Sequence, residues 1–494
     1  MSAPSVSFVS LGCPKNLVDS EKMLGLIAEA GCPIVSPNDP ADVVVVNTCG
    51  FLAASREEAV GILRELADQK RAGELKRIVV AGCLVQRDGQ GLVEAVPEID
   101  ALVGVNNRQD VVRAVLGGKP KHGAGSKAKA KAGAKSKSTA KSSSRSLPVV
   151  QPDTMPDLYL GDYHAASWTE QNRSDRARLR LTPTHYAYLR ISEGCNQKCT
   201  FCTIPSIRGP MHCKTPDEII AEARELIDDG ALELNLIGQD TTSYGQDIGY
   251  EPGLPGLLRT LNTLNGVRWI RLMYAYPSDF TDEMIDAIAQ CEKIAPYIDI
   301  PLQHINDRVL KAMHRRVTRA QTETLLAKLR ERIPGVAIRT TFIAGFPGET
   351  HAEFQELQRF IADFGFEAVG VFPYSSEPGT PAHKMKGAID PDIIEERVGA
   401  LMRTQQEVAF RRNAAMKGRE LLVMIDDFGR MEGPGGISVY PARHAGQAPE
   451  VDSVTLVQGG EYDPGEVVRV RVTGHKDYDL LAAPVTIGLP VLHG

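Results

Sequence analysis

Between residues 181 and 418, six strand-like runs alternate with helical ones, and this alternation limits the possible folds more than any other feature. The runs lie near Tyr186–Ser192, Glu233–Gly238, Trp269–Tyr276, Tyr297–Leu302, Ala337–Ala344 and Ala368–Tyr374. Helical periodicity fills Pro216–Gly230, Thr281–Ile294, Asp307–Arg332 and His351–Phe364, and Thr215-Pro216 is a start signal for the first. Strands joined through helices pair in parallel with right-handed crossovers, so their C-terminal ends share one rim. Six such units predict an open, partial barrel. By analogy with closed barrels, ligands belong on that rim.

The first rim loop carries Glu193-Gly194-Cys195-Asn196-Gln197-Lys198-Cys199-Thr200-Phe201-Cys202, a C-x3-C-x2-C spacing. Three thiolates in so short a loop can hold three corners of a [4Fe-4S] cube and leave one iron open to a ligand; electron-transfer clusters usually take four cysteines. A structural zinc loop is the competing reading. Closed zinc sites take four ligands, and His212 or Cys213 would have to supply the fourth. Other polar residues fall on the same rim. Gln239 and Asp240 follow the second strand, Gln303 and His304 the fourth, and Gly345-Phe346-Pro347-Gly348-Glu349 the fifth. Each is a weak signal alone, and His304 reads more readily as a packed, hydrogen-bonded residue than as a catalyst.

In the first 118 residues three strand-like runs each lead to a cysteine. Val6–Gly12 precedes Cys13, Asp42–Thr48 precedes Cys49, and Arg77–Gly82 precedes Cys83, with helical patterns at Ser20–Ala30 and Ser55–Lys70. The strand ends of such a sheet lie along one ligand-binding edge. The three cysteines are therefore expected to meet as a second three-thiolate site. Cysteines packed as small hydrophobes would not explain their positions beside Gly12, Gly50 and Gly82. Cys32, Cys213 and Cys291 have no such partners and read as inert. Met1–Val9 lacks the flank and apolar stretch of a secretory signal, and no apolar run is long enough to span a membrane. The expectation is a cytoplasmic protein, where nine cysteines argue for metal or redox chemistry over disulfides.

C-x3-C-x2-C with an aromatic before its last cysteine, after a first strand, resembles the radical S-adenosylmethionine (SAM) superfamily. Leu11-Gly12-Cys13-Pro14-Lys15-Asn16-Leu17-Val18-Asp19-Ser20-Glu21 and Val46-Asn47-Thr48-Cys49-Gly50-Phe51 resemble the N-terminal domain of its methylthiotransferase family. The Gly-Cys-Pro-Lys-Asn form is similar to the branch that modifies a ribosomal protein; the tRNA-modifying branch typically has Gly-Cys-Gln-Met-Asn. Gly238–Gly245 and Arg339–Ile343 match the same branch in character. Gly474-His475-Lys476-Asp477-Tyr478-Asp479-Leu480 resembles the end of a TRAM domain, a module often used to bind RNA.

The resemblance covers nearly the whole chain except its linker. It implies an α/β protein with a parallel, flavodoxin-like domain at 1–118, a linker at 119–180, a partial (β/α)6 radical SAM barrel at 181–418 and a small antiparallel β-barrel at 419–494. It implies two [4Fe-4S] clusters, one on Cys195, Cys199 and Cys202 and an auxiliary one on Cys13, Cys49 and Cys83. SAM would be radical source and methyl donor, and Gln239, Asp240, Gly345 and Glu349 would offer it polar groups and close backbone approach. The implied substrate is the β-carbon of an aspartate in small-subunit ribosomal protein twelve, free or on the ribosome. A sulfur donor and a low-potential electron donor would be the other partners, with neither a membrane nor tRNA. An unactivated Cβ–H is too weak an acid for a general base, so a 5'-deoxyadenosyl radical from reductive SAM cleavage would take the hydrogen atom. The auxiliary cluster would then present a methylated sulfur. Two other functions stay open: a tRNA adenosine methylthiotransferase, and a ribosome-binding protein with structural or sensory clusters.

Charge separates the remaining segments. Lys119–Ser146 holds eight lysines and Arg145 with no acid or aromatic residue. That composition cannot form a core, so a flexible tether is expected, with loose contact to ribosomal RNA as the functional alternative. Leu147–Arg180 is undecided. Beyond it, Leu421–Ile425, Ser438–Ala442, Ser453–Val457, Val467–Val472 and Tyr478–Ala482 read as the strands of the small barrel. Glu420–Val485 carries eleven acids against five Lys and Arg, a net −6. Phosphate backbones require cationic surface, so an acidic face suits a basic protein.

Overall fold

The computed structural model describes residues 3–118, 156–160, 173–432 and 436–485. The Lys119–Ser146 tether lies outside them. Contacts divide the chain into one unit of Met1–Gly12, Met23–Gly50 and Ala54–Asp162, and another of Cys13–Lys22, Phe51–Ala53 and Tyr163–Gly494.

The first unit holds a parallel sheet of β1 (Val6–Ser10), β2 (Ile34–Val35), β3 (Val43–Thr48), β4 (Arg77–Gly82), β5 (Ala101–Val103) and β6 (Asp157–Tyr159). The strand order is 2-1-3-4-5-6, and its first five strands follow the flavodoxin-like order. Val43 and Val45 pack with Val6, Leu24 and Val79 on one face, and Val44 and Val46 with Leu63, Ile78 and Leu84 on the other. Burial on both faces explains the unbroken valine run. β6 comes from the segment whose sequence left it undecided.

In the second unit β7 (Tyr186–Arg190), β10 (Glu233–Ile237), β11 (Trp269–Leu272), β12 (Ile294–Asp299), β13 (Ala337–Ala344) and β14 (Ala368–Pro373) pair in parallel in that order. β7 and β14 do not pair, so the barrel is open. A short antiparallel pair, β8 (Ser192–Glu193) and β9 (His212–Cys213), stands beside the first rim loop. Two expectations need correction. β12 begins and ends three residues before the expected Tyr297–Leu302. Pro296 lies inside it without an N–H to donate, and the β11–β12 register slips between Ile270–Ile294 and Leu272–Ile298. Asp307–Arg332 is two helices, Asp307–Ala312 and Arg319–Arg332. His314 turns left-handed at φ +58°, and Thr318 opens the second helix in a capping box with Gln321.

The C-terminal barrel contains β15 (Glu420–Ile425), β16 (Arg430–Glu432), β17 (Ile437–His444), β18 (Thr455–Gln458), β19 (Val467–Lys476) and β20 (Asp479–Pro484). β15, β19, β20, β18 and β17 close into a ring. The antiparallel expectation holds except at β18–β20, where Thr455 and Leu480 align in parallel. Five strands cannot alternate direction around a closed ring, so one parallel pair is unavoidable.

The loop from β17 to β18 plugs the strand N-terminal end of the central barrel. Arg443 donates to Glu233 Oε2 at 2.7 Å, and Arg271 donates to the Ala445 carbonyl at 2.7 Å. Tyr186 and Tyr188 hydroxyls donate to Glu450 at 2.9 and 3.0 Å, and the Tyr297 hydroxyl to Asp452 at 2.8 Å. Asp426 accepts from Arg443 at 2.7 Å and lies 2.9 Å from His185 Nε2. Asp426, Glu450 and Asp452 thus bond to side chains of the central domain. Among the described residues no helix is long and apolar enough to cross a membrane.

Candidate functional site

The C-x3-C-x2-C loop begins where β8 meets β9. Gly194 makes the turn at φ +77°, and a Cβ there would lie 2.1 Å from the Pro210 carbonyl oxygen. Only glycine fits. The Cys195 amide donates to Gly209 O at 3.2 Å and the Cys202 amide to Cys199 O at 3.1 Å, which curls the loop on itself. Its middle is clamped from two sides. The Thr200 amide donates to Met313 O at 3.0 Å and its hydroxyl to Ala312 O at 2.9 Å; Thr200 O accepts from the Ala382 amide at 2.9 Å.

Each of the three sulfurs has a polar neighbour. Gln197 N donates to Cys195 Sγ at 3.4 Å and Ile204 N to Cys202 Sγ at 3.4 Å. Arg315 Nη1 donates to Cys199 Sγ at 3.6 Å, and the Tyr276 hydroxyl lies 3.8 Å from it. Burial, and the proximity of the other cysteines, push the Cys195 and Cys202 thiols up to about 12. Metal binding there must displace their protons. Among the described residues no three His, Cys, Asp or Glu side chains converge as they would around a single ion. Cys213 is packed in the barrel core, where its sulfur accepts from the Gly245 amide at 3.3 Å. Cys32 and Cys291 are also packed among apolar side chains.

The rim residues fix this loop. Gln197 Nε2 donates to Asp240 at 2.9 Å and to Asp279 at 3.0 Å. Asp240 also accepts from the Thr242 and Ser243 hydroxyls, both at 2.8 Å. Gln239 donates to Glu193, which Arg190 and Arg208 also hold, at 2.7 and 2.8 Å. Those two arginines reach Asp19, and Arg208 also reaches Asn16, so the segment after Cys13 is tied to the base of the loop. Gly345 and Glu349 form their own knot. Glu349 accepts from the Gly345 amide at 3.0 Å and from Arg397 at 2.6 Å, with His304 Nε2 at 3.7 Å. Among the described residues, the buried rim atoms without a hydrogen-bond partner include Ser192 Oγ, Thr203 Oγ1 and Gln239 Oε1, all available to a polar ligand. Two rim residues in the segments that follow β11 and β12 are left-handed, Tyr274 at φ +60° and Gln303 at φ +72°. Such backbone strain clusters at binding sites.

Of the other cysteine set, Cys49 directly follows β3 and Cys83 directly follows β4, neighbouring strands on which Thr48 pairs with Gly82. The two turns press together: a Cβ on Gly50 would sit 2.7 Å from Cys83 O. Cys13 falls in the second unit. Burial works against its ionisation, but Lys15, Arg208 and the Asn16 and Lys15 amides hold its thiol below the ordinary range.

Sequence reasoning missed Arg315, Tyr276 and Asp279. The usable signal was Thr318-x-x-Gln321, a helix start that would have freed Arg315 from the expected long helix.

Residues 189–361 match the radical SAM superfamily, 5–104 the family described as uncharacterized protein family UPF0004, and 418–485 the TRAM domain. A ribosomal protein uS12 methylthiotransferase RimO from Anaeromyxobacter sp. (strain K) is 42% identical, covering 98% of this chain and 94% of its own. One of the same name from Trichlorobacter lovleyi is 39% identical, covering 97% of each. Among solved structures, the radical S-adenosylmethionine methyltransferase TsrM from Kitasatospora setae shares the fold with a TM-score of 0.52 at 16% identity, over 77% of this chain and 74% of that one.

Proposed function

The chain belongs to the ribosomal protein uS12 methylthiotransferases, a radical SAM family, and from that membership we propose that it methylthiolates the β-carbon of an aspartate in uS12 using two [4Fe-4S] clusters. As a radical SAM enzyme it uses iron–sulfur chemistry and SAM. The observation that carries the reading is the Cys195–Cys202 loop, with three sulfurs in polar contact on the rim of an open barrel. A site of three thiolates fits a cube with one open iron. Cys195, Cys199 and Cys202 would hold that cluster, and Cys13, Cys49 and Cys83 the auxiliary one. Together with SAM the groups supply a hydrogen-abstracting radical and a transferable methylthio sulfur.

The chain's own residues do the positioning. Gln197, Asp240 and Asp279 fix the loop's first turn. Thr200, gripped by Ala312, Met313 and Ala382, fixes its last. Gln239 and Asp240, with Gly345 and Glu349 across the rim, are the residues proposed to frame SAM. Gln239 Oε1, Ser192 Oγ and Thr203 Oγ1 are buried oxygens still open to it. The rim residues would orient the bound groups while the cofactors supply the chemistry.

Mass spectrometry of uS12 from cells with and without this gene tests the proposal. The wild-type protein should carry a methylthio group on an aspartate, and the knockout should lack it. Unmodified uS12 in both, with tRNA losing a methylthio-adenosine instead, would replace this reading. Iron per chain in Cys13, Cys49, Cys83 triple-alanine enzyme tests the two-cluster count. It should fall by about half, from about eight for two [4Fe-4S] units.

A further inference from the structure

Arg315 is a buried cation with no carboxylate to neutralise it. The residue is 8% exposed, and among the described residues it forms no ion pair. Nη1 donates to Cys199 Sγ at 3.6 Å, Nη2 donates to the Pro301 carbonyl, and the guanidinium carbon lies 4.1 Å from the Tyr276 ring centroid. Nε is buried with no partner. Removing a charge from water is costly unless an opposite charge meets it. The nearest candidate is the sulfur of Cys199, and a thiolate-ligated iron–sulfur cluster there would supply the missing negative charge.

The surrounding backbone is built to deliver this side chain. The helix from Asp307 ends at Ala312, His314 takes a left-handed φ of +58°, and the Arg315 amide closes the turn on Leu310 O at 2.9 Å. The two residues before that turn, Ala312 and Met313, grip Thr200, the neighbour of Cys199. One short segment therefore holds both the loop and the cation aimed at it. Tyr276 completes the setting, with its ring under the guanidinium and its hydroxyl near the same sulfur.

We propose that Arg315 is a positioning residue that orients Cys199 and raises the reduction potential of the cluster on Cys195, Cys199 and Cys202. The inference rests on the cluster assignment above. A cation and N–H donor at a cluster sulfur favour the reduced, more negative state, since charge and hydrogen bonds to sulfur set these potentials. In a radical SAM enzyme that electron starts the reaction, so the residue would govern how readily a low-potential donor can load it.

The test is an EPR-monitored redox titration of anaerobically reconstituted full-length enzyme, as wild type, Arg315→Gln and Arg315→Lys. To isolate this cluster, all three are prepared with Cys13, Cys49 and Cys83 replaced by alanine. The glutamine variant should bind the same iron yet show about a tenfold smaller reduced-to-oxidised ratio at fixed potential, a shift of about 59 mV to the negative for one electron. The lysine variant, which keeps the charge, should recover most of that shift. Reductive SAM cleavage should follow the same order. Equal potentials in all three, with iron retained, would overturn the proposal and leave Arg315 a packing residue. Equal shifts in both variants would also overturn it, because loss of shape rather than charge would then be responsible. If the glutamine variant loses iron altogether, Tyr276→Phe replaces it. That change leaves the guanidinium in place, so the enzyme should keep its iron and its potential should move by less than the tenfold, about 59 mV, expected for loss of the charge; an equal or larger shift counts against Arg315. A parent that binds no cluster at these cysteines would refute the cluster assignment itself, which separates the two failures.

Discussion

Gly194 shows how tightly single residues are specified at the cysteine loop. With φ at +77° and the Pro210 carbonyl 2.1 Å from where a Cβ would be, alanine must move the backbone that starts the loop. Such left-handed strain costs about 1–3 kcal/mol, and the steric contact adds to it. Gly194→Ala should therefore keep its fold by circular dichroism but lose most of the iron bound by Cys195, Cys199 and Cys202, as measured by a colorimetric iron assay; iron equal to wild type would show that the turn has slack. The cysteines themselves were legible in the sequence because a ligand loop is local: three sulfurs within eight residues need no tertiary information. Arg315 was not legible. Its role depends on a helix break hidden in a continuous polar–apolar pattern, and on Cys199 and Tyr276, which are distant in sequence. Gln239 and Asp240 were found on the rim as expected, but their visible partners are Glu193 and Gln197 of the loop.

At the scale of elements, the β17–β18 loop is where the sequence said least, because nothing local marks a loop as the plug of another barrel. Arg443, at the end of β17 just before that loop, sits between Glu233 and Asp426; the arginine and Glu233 are buried and Asp426 is half-buried. Removing one member of a buried pair leaves an uncompensated charge, at a cost of about 3–5 kcal/mol. Arg443→Met should lower the melting temperature and let limited proteolysis release the C-terminal barrel; an unchanged digest would mean the plug is not what holds it. Two histidines add a pH dependence. His304 is fully buried, and burial pushes its pKa down to about 4 against the pull of Glu353 and Glu356, with Arg308 and Arg397 adding to the lowering. His444 is pushed down to about 4 by burial and by Arg271 and Arg443. Each accepts a backbone amide at Nδ1 at 3.0 Å, from Asn306 and Gly446 respectively, which requires the neutral ring. Their unfolded value is about 6.5. The unfolded chain therefore takes up these protons first as pH falls, and stability present above about pH 6.5 is lost progressively down to about pH 4. The ceiling is about 3 kcal/mol for each group. Urea midpoints should drop between pH 7 and pH 4.5, and His304→Asn with His444→Asn should flatten that slope; an unaltered slope would assign it to other groups.

For the whole molecule, charge bears on which substrate is met. The C-terminal barrel is net −6 by composition, but Asp426, Glu450 and Asp452 serve the junction with the central barrel. Reversing Asp426 would break that junction rather than test recognition. The acids that do face water include Asp427, Glu461, Asp463 and Glu466. Because the plug ties the barrel to the core, the full chain is the object to test. Replacing these four acids with lysine should weaken binding of basic uS12 at least several-fold at about 0.1 M salt, where the Debye length is about 10 Å. The wild-type advantage should fade toward 1 M, where it is about 3 Å. SAM cleavage without substrate should be unaffected, since none of the four touches the cysteine loop. Fluorescence anisotropy with labelled uS12 and, separately, labelled tRNA reads both arms on the same enzyme. Each substitution removes one negative charge and adds one positive, so any phosphate-binding tendency of the barrel should increase, and the variant should gain tRNA affinity as it loses uS12. Wild-type enzyme that already prefers tRNA at physiological salt would show that the acidic face does not select the substrate. The contact would then belong elsewhere on the chain, with the lysine-rich Lys119–Ser146 segment the first deletion to make.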